Sequence, residues 1–400
     1  MRFKSLITIT IPLILALSSC SLLILDPPSF IPEDRSLLVV ESELYAQSGA
    51  AIDQHLDWLG QTGGAGYLEL VDAAEEPEAV RAILRQYAGS VDSAFFIGEI
   101  PAVWYEQRAF GEWEYFPVDV YYMDPDSVWT DSDGDGYYDA HGALELELAV
   151  GRLQGTPDEI NRYFRKLEEY RSGQSPDLAG AYIFKDNDWH YFYRSSVFGL
   201  NNIYTDITIS QDDEDTSRMA YLEHLSRSGA DYVYQWIHAN PTALYFNAYS
   251  EYDTLAYYEL DNQIQGRFMN MFNCKGVRFT QPNIGMSYLT STDLTLAITG
   301  STKVGGNYYP MEFHRELSVG NSWGEAFIGW YNAFGVFDDE WFLGMVILGD
   351  PSLRLRQTDP QTGISRSAIQ SIMPPLREQR DELGSMLMEF DQSLEGPDSP

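Results

Sequence analysis

Apolar positions along the chain fall into two alternating periods. Residues 36–40 (Ser-Leu-Leu-Val-Val) form an unbroken apolar run, the pattern of a strand buried on both faces. Ile52, Leu56 and Leu59 follow at steps of four and three, a helical stripe. Residues 66–71 predict a second strand. Residues 77–88 predict a helix that starts on Pro77, with Val80, Ile83, Leu84 and Tyr87 along one side. Residues 93–98 predict a third strand and 145–150 a fourth. A helix over 157–172 follows, with Thr156 as its cap. The second half repeats the alternation. Strands are expected at 181–184, 232–237, 268–273 and 294–298. Helices are expected at 215–228, with Met219, Leu222 and Leu225 inside and Gly229 as the stop, and at 322–333.

Strands that alternate with helices predict an α/β fold with mostly parallel sheets flanked by helices. In such sheets the sites lie beyond the carboxyl ends of strands. The expected division is a signal peptide at 1–19, a tether at 20–35, an α/β subdomain at 36–175, a second at 176–357, and a tail at 358–400. The two subdomains are expected side by side. Helix is expected in the tail between 364 and 390, around Pro374-Pro375, as a peripheral element with a loose end.

The amino terminus adds a compartment. Arg2 and Lys4 precede an apolar run from Leu6 to Leu17, and Leu17-Ser18-Ser19-Cys20 closes it. This is the layout of a secretory signal, too short for a lasting membrane span. Its ending resembles the bacterial lipobox, which implies lipid on Cys20 and a place in the cell envelope. Ser21 beyond it favours the outer membrane or cell surface. Loss of Arg2 and Lys4 takes the formal charge from −35 to −37. Phosphate binding needs a basic surface, so nucleic acid is not an expected partner. With 44% apolar residues the chain can fill a substantial core.

Lipid on Cys20 would leave Cys274 as the one remaining thiol. A lone cysteine is usually a small buried apolar residue. This one ends the strand pattern at 268–273, and His238 ends the pattern at 232–237. A thiol attacks as its thiolate, and an imidazole beside it is the usual base. A second motif is Asp131-Ser132-Asp133-Gly134-Asp135-Gly136-Tyr137-Tyr138-Asp139. Carboxylates at places 1, 3, 5 and 9 with glycine at 6 suit a hard cation, calcium, to which Tyr137 would offer its carbonyl. Place 12 is Gly142 rather than glutamate, and an acidic hydrated turn is the alternative.

Six further blocks carry a resemblance. Phe96-Ile97-Gly98-Glu99-Ile100-Pro101 and Leu148-Ala149-Val150-Gly151-Arg152-Leu153 come first. His238-Ala239-Asn240-Pro241-Thr242, Asn273-Cys274-Lys275-Gly276, Ala297-Ile298-Thr299-Gly300-Ser301-Thr302-Lys303 and Leu348-Gly349-Asp350-Pro351-Ser352-Leu353 follow. In this order they resemble gingipain-type cysteine peptidases, a caspase-like group, from about Leu37 to Arg356. The resemblance implies a polypeptide substrate, Cys274 as nucleophile, His238 as general base and acid, and Glu147 as the group orienting the histidine. Strand alternation would put Glu145 and Glu147 on one face, where both could instead simply meet solvent. The implied oxyanion donors are the backbone N–H of Cys274 and the one after His238. Two departures stand out. Ala239 replaces the family's glycine, and Lys275 follows the cysteine. Both leave open a homologue that has lost activity and serves as a calcium-stabilised surface binding protein.

Overall fold

The computed structural model describes residues 34–178, 180–189, 199–248, 251–356 and 383–394. Ten strands form one sheet: β1 (Arg35–Glu41), β2 (Ala65–Val71), β3 (Ser93–Ile97), β4 (Ala149–Leu153), β5 (Ala181–Lys185), β6 (Ile207–Ser210), β7 (Ala230–Trp236), β8 (Gly266–Phe272), β9 (Ala297–Ser301) and β10 (Met345–Gly349). Their order across the sheet is β6-β5-β7-β8-β9-β10-β4-β3-β1-β2. Every neighbouring pair is parallel except β9 and β10. That one antiparallel pair reverses the direction of half the sheet. The segments entering β4 and β10 therefore lie at the same edge as the exits of β7, β8 and β9.

The continuous apolar runs explain the parallel pairing. Leu37, Leu38, Val39 and Val40 have no exposed surface, as strands covered on both faces require. Each such side chain contributes about 1.5–3 kcal/mol. Helices Ser42–Gln61, Pro77–Tyr87 and Pro157–Arg171 connect or flank the strands of the first half. The last is closed by a capping box, in which Thr156 and Glu159 satisfy each other's amides.

Some elements shift from their sequence patterns. The alternation at 145–148 is real, with Leu146 and Leu148 buried, but β4 starts only at Ala149. The Glu147 and Leu148 amides both donate to the Met123 carbonyl, and Leu146 N–H donates to Asn332. Loop bonds thus take the place of a ladder. The helix expected at 215–228 spans Arg218–Arg227, and Met219 is 75% exposed. Tyr221 turns inward in its stead and its hydroxyl meets Gln235 and Tyr288. The pattern at 294–298 is realised as β9, three residues later.

Two glycines allow close approach on either side of β10, Gly151 on its parallel neighbour β4 and Gly349 where β10 runs antiparallel to β9. A Cβ on Gly151 would lie 2.2 Å from the Gly349 carbonyl oxygen on the paired strand. Gly349 itself has φ +90°, and a Cβ there would meet the Leu296 carbonyl at 2.2 Å. Next to them, Arg152 is buried. It donates to Asp119 through Nε and Nη2, and to the Ile100 and Pro101 carbonyls. Asp350 accepts from Arg171 at 2.7 Å and from Ser352. Arg171 also donates to His55 Nδ1 at 2.6 Å, which requires a neutral imidazole with its proton on Nε2. His55 Nε2 is 3.9 Å from Asp350, too far for a hydrogen bond. Burial first, and Arg171 next, push the His55 pKa down to about 3.

Candidate active site

His238 and Cys274 leave the sheet side by side. In the parallel pair β7–β8, Trp236 is in register with Phe272. Each candidate lies two residues beyond its member of that pair, so the register carries both to the same level of adjacent strands. Trp189 supports this corner, its ring 4.8 Å from His238 and 5.3 Å from Phe272. His238 is 4% exposed and begins the short strand His238–Asn240, which pairs with Ala243–Ala248 and, through it, with Glu251–Ala256. This aromatic flap brings Tyr245 and Tyr252 over the histidine side of the site.

Cys274 is completely buried. Beside a base its thiol is expected to ionise readily. The reverse holds here: burial, and then the charge of Asp391, push it up to about 12. The Gly305 backbone and the Lys275 charge pull the other way but do not prevail. Asp391 belongs to the tail. Residues 383–394 are a helix, and it is not peripheral as the sequence suggested. Phe390 stacks on the His238 ring, with centroids 4.1 Å apart and planes at 29°. Asp391 pairs with Lys275 at 2.5 Å. The rest of the expected tail helix, 364–382, lies outside the described residues.

The structure does not bring Glu147 to the histidine. Glu147 is exposed in the segment before β4, and the charges that bear on it are those of Asp126 and Glu145. β4 is four strands from β7, and each step is about 4.8 Å. The face carrying Glu145 and Glu147 meets solvent. Glu114 is a nearer carboxylate that the sequence pattern did not single out. Its charge is felt by Cys274, and it pairs with Lys303, buried in the Thr302-Lys303 block, at 2.8 Å. It lies on the hairpin Trp104–Ala109/Glu112–Pro117.

The backbone departures also fall differently. Ala239 is extended, in register with Leu244, so no left-handed geometry demands glycine there. The positive φ is instead at Lys275, +59°. A non-glycine residue in that region costs about 1–2 kcal/mol, typical of conformations held at functional sites. The Lys275 amide donates to the Lys303 carbonyl at 2.9 Å, which fixes the turn behind the cysteine.

The acidic loop divides its carboxylates. Asp131 accepts the Gly134 and Gly136 amides at 2.7 and 3.0 Å, which hold its carboxyl below the usual range. Asp139 accepts from the Ser132 hydroxyl and amide. These two build the turn. Asp133 and Asp135 instead converge with Glu106, their oxygens within 4.8 Å of one another. Desolvation and the charges of Asp135 and Asp133 raise the Glu106 carboxyl. Tyr137 packs on Trp104 and Tyr115. Glu106 lies far upstream, and only pairing reveals it: its amide donates to the Tyr138 carbonyl and the Tyr138 amide to Trp104. Cys20 lies outside the described residues. Among the described residues no helix is long and apolar enough to cross a membrane.

The largely parallel, helix-flanked sheet has the caspase-like fold, and the candidate cysteine and histidine lie at neighbouring strand ends of it. Residues 61–356 match peptidase family C25, and the chain belongs to that family of cysteine-type peptidases. The fold is similar to the crystal structure of the Arg-specific cysteine proteinase gingipain R. That match has a TM-score of 0.58 and 15% identity, and it covers 83% of this chain and 80% of the other. No curated protein matches the sequence.

Proposed function

We propose that this chain is an endopeptidase of the bacterial cell envelope that cleaves polypeptides through Cys274 and His238. The observation that carries the reading is the shared level of the two residues at the ends of β7 and β8. His238 would take the proton from Cys274 Sγ, and the thiolate would attack the scissile carbonyl. The Cys274 and Ala239 amides would face the developing oxyanion. His238 would then pass its proton to the leaving amine, and water would release the acyl group from sulfur. Glu147 has no part in this scheme. The second reading, an inactive binding homologue, is favoured by the buried, poorly ionised thiol. The deciding assay is a mixed peptide library incubated in calcium and reductant, with the chain and with Cys274→Ala. Each is tested with helix 383–394 native and carrying Phe390→Ala. Cleavage that needs Cys274 in either background supports the peptidase, and its absence from both overturns it.

The acidic loop is proposed to hold calcium through Asp133, Asp135 and Glu106, with Asp131 and Asp139 shaping the turn. The support is the convergence of three carboxylates from two separate segments. Calcium here would stabilise the native fold and take no part in the chemistry. Membrane attachment is proposed through lipid on Cys20, on the Leu17-Ser18-Ser19-Cys20 pattern. Cys20→Ala should release the protein into the soluble fraction and remove the acyl mass. Tight membrane retention with an unmodified amino terminus would refute it.

A further inference from the structure

The tail helix touches one residue of the proposed pair and the neighbour of the other. Phe390 lies flat on the imidazole of His238 and also meets Tyr252 and Tyr245 of the flap, with centroids 5.1 and 5.5 Å apart. The next residue, Asp391, is 6% exposed and holds Lys275, which directly follows the cysteine. Beneath this, Leu383, Leu387 and Met388 are buried on the same stripe of the helix as Asp391. The far end is seated too. A Cβ on Gly384 would be 2.2 Å from the Phe110 ring, so the helix backbone rests directly on the 104–117 hairpin. The helix thus spans the cleft from that hairpin to the 238–256 flap.

A carboxylate on this stripe makes sense only against a cation. A buried, unpaired Asp391 would be costly, and Lys275 supplies the charge. The pairing has a chemical consequence. It draws Lys275 toward the helix and sets a negative group where a thiolate would have to form. The thiol is fully covered, and the face of its candidate base is occupied by a ring.

We propose that helix 383–394 is an intramolecular occupant of the cleft that holds the Cys274–His238 pair closed, so that its displacement opens the site to polypeptide. The proposal rests on the peptidase reading above and adds its regulation. The helix is a short amphipathic segment, and the ring contacts of Phe390, the Asp391–Lys275 pair and a few apolar side chains are among the contacts that hold it. Such a segment can leave without disturbing the sheet, because none of its residues belongs to a strand of it.

The test uses the full chain and a Phe390→Ala/Asp391→Asn variant. Iodoacetamide labelling at neutral pH is followed by mass on the peptide ending at Lys275, so that Cys20 does not contribute. Labelling of Cys274 should accelerate at least tenfold in the variant, and library cleavage should rise with it. Adding a synthetic 383–394 peptide should slow both again, whereas the same peptide carrying Phe390→Ala should not. Equal labelling of native chain and variant would overturn the closure. Cleavage by the native chain as fast as by the variant would overturn it too, yet uphold the peptidase. Faster labelling with no cleavage would support the closure and overturn the peptidase. If melting shows the double variant unfolded, Asp391→Asn alone carries the test. It keeps the shape and removes one charge, and labelling should still rise several-fold.

Discussion

The seam between β4 and β10 and the cleft beyond β7 and β8 both carry the sequence blocks that resemble gingipain-type peptidases, but they are built in opposite ways. At the seam every buried charge is answered from within the folded body. Arg152 meets Asp119 and two carbonyls, and Asp350 meets Arg171 and Ser352. Backbones approach so closely that only glycine fits at 151 and 349. In the cleft, the charge of Lys275 is answered by a helix that lies across the site and contributes no strand. The difference separates two uses of a motif. A Gly-Arg pair lies in one of these blocks, yet here it joins β4 to β10. The residues available for chemistry are those whose partners can be withdrawn.

The comparison breaks first if the seam tolerates change. Gly151→Ala places a methyl against a carbonyl on a paired strand, which has no flexible end to yield. It should cost more than ~4 kcal/mol and yield little soluble, cooperatively unfolding protein. Normal melting would show that the seam can part. Arg152→Met leaves Asp119 buried without its partner and should cost about 3–5 kcal/mol in urea unfolding. In the cleft the pattern should invert. Cys274→Ala and His238→Ala, in the Phe390→Ala background, should each lower peptide cleavage by ~10³-fold or more while melting barely moves, with little further loss when combined.

The pH response probes the seam more gently. The folded-state pKa of His55 is depressed to about 3, below the ordinary value of 6.5. The unfolded chain therefore takes up a proton more readily than the native one. The stabilisation is complete above pH 6.5 and is lost progressively as pH falls toward 3. His55→Gln should flatten that part of the stability-against-pH curve, as read by urea midpoints from pH 7 to 4. An unchanged slope would place the acid sensitivity elsewhere.

Calcium should give a smaller effect. It should raise the melting temperature by a few degrees, as expected for an ion that binds only the native state. Glu106→Gln should remove most of that gain, and Asp139→Asn should weaken it by loosening the turn. Equal melting in calcium and in chelator would refute the site. The smallest effects belong to the residues the structure sets aside. Glu147→Gln should alter cleavage by less than about twofold and stability by less than ~0.5 kcal/mol, as at exposed positions generally. Ala239→Gly should bring no gain in activity and cost roughly 0.5–1 kcal/mol, because glycine loosens a strand.

Much of this was written in local pattern. The apolar runs at 36–40 and 93–97 gave β1 and β3, because a strand covered on both faces must be apolar throughout. Pro77 marked a helix start through its fixed φ and Thr156 through capping bonds made within a single turn. The placing of His238 and Cys274 at strand ends was likewise readable, since each follows its own apolar run. What no local pattern contains is which distant segments meet. Glu106 reaches Asp133 and Asp135 only because a hairpin pairs beside the acidic loop. Glu147 had the right neighbours in sequence, but the order of strands carries it away from the histidine. Positive φ settled on Lys275 and not on residue 239, because a turn after β8 is tied to Lys303 while 239 continues as strand. The tail looked peripheral, for its modest apolar stripe says nothing of where it docks. Only the folded cleft, with one aromatic face and one lysine to receive Phe390 and Asp391, decided that it lies across the candidate site.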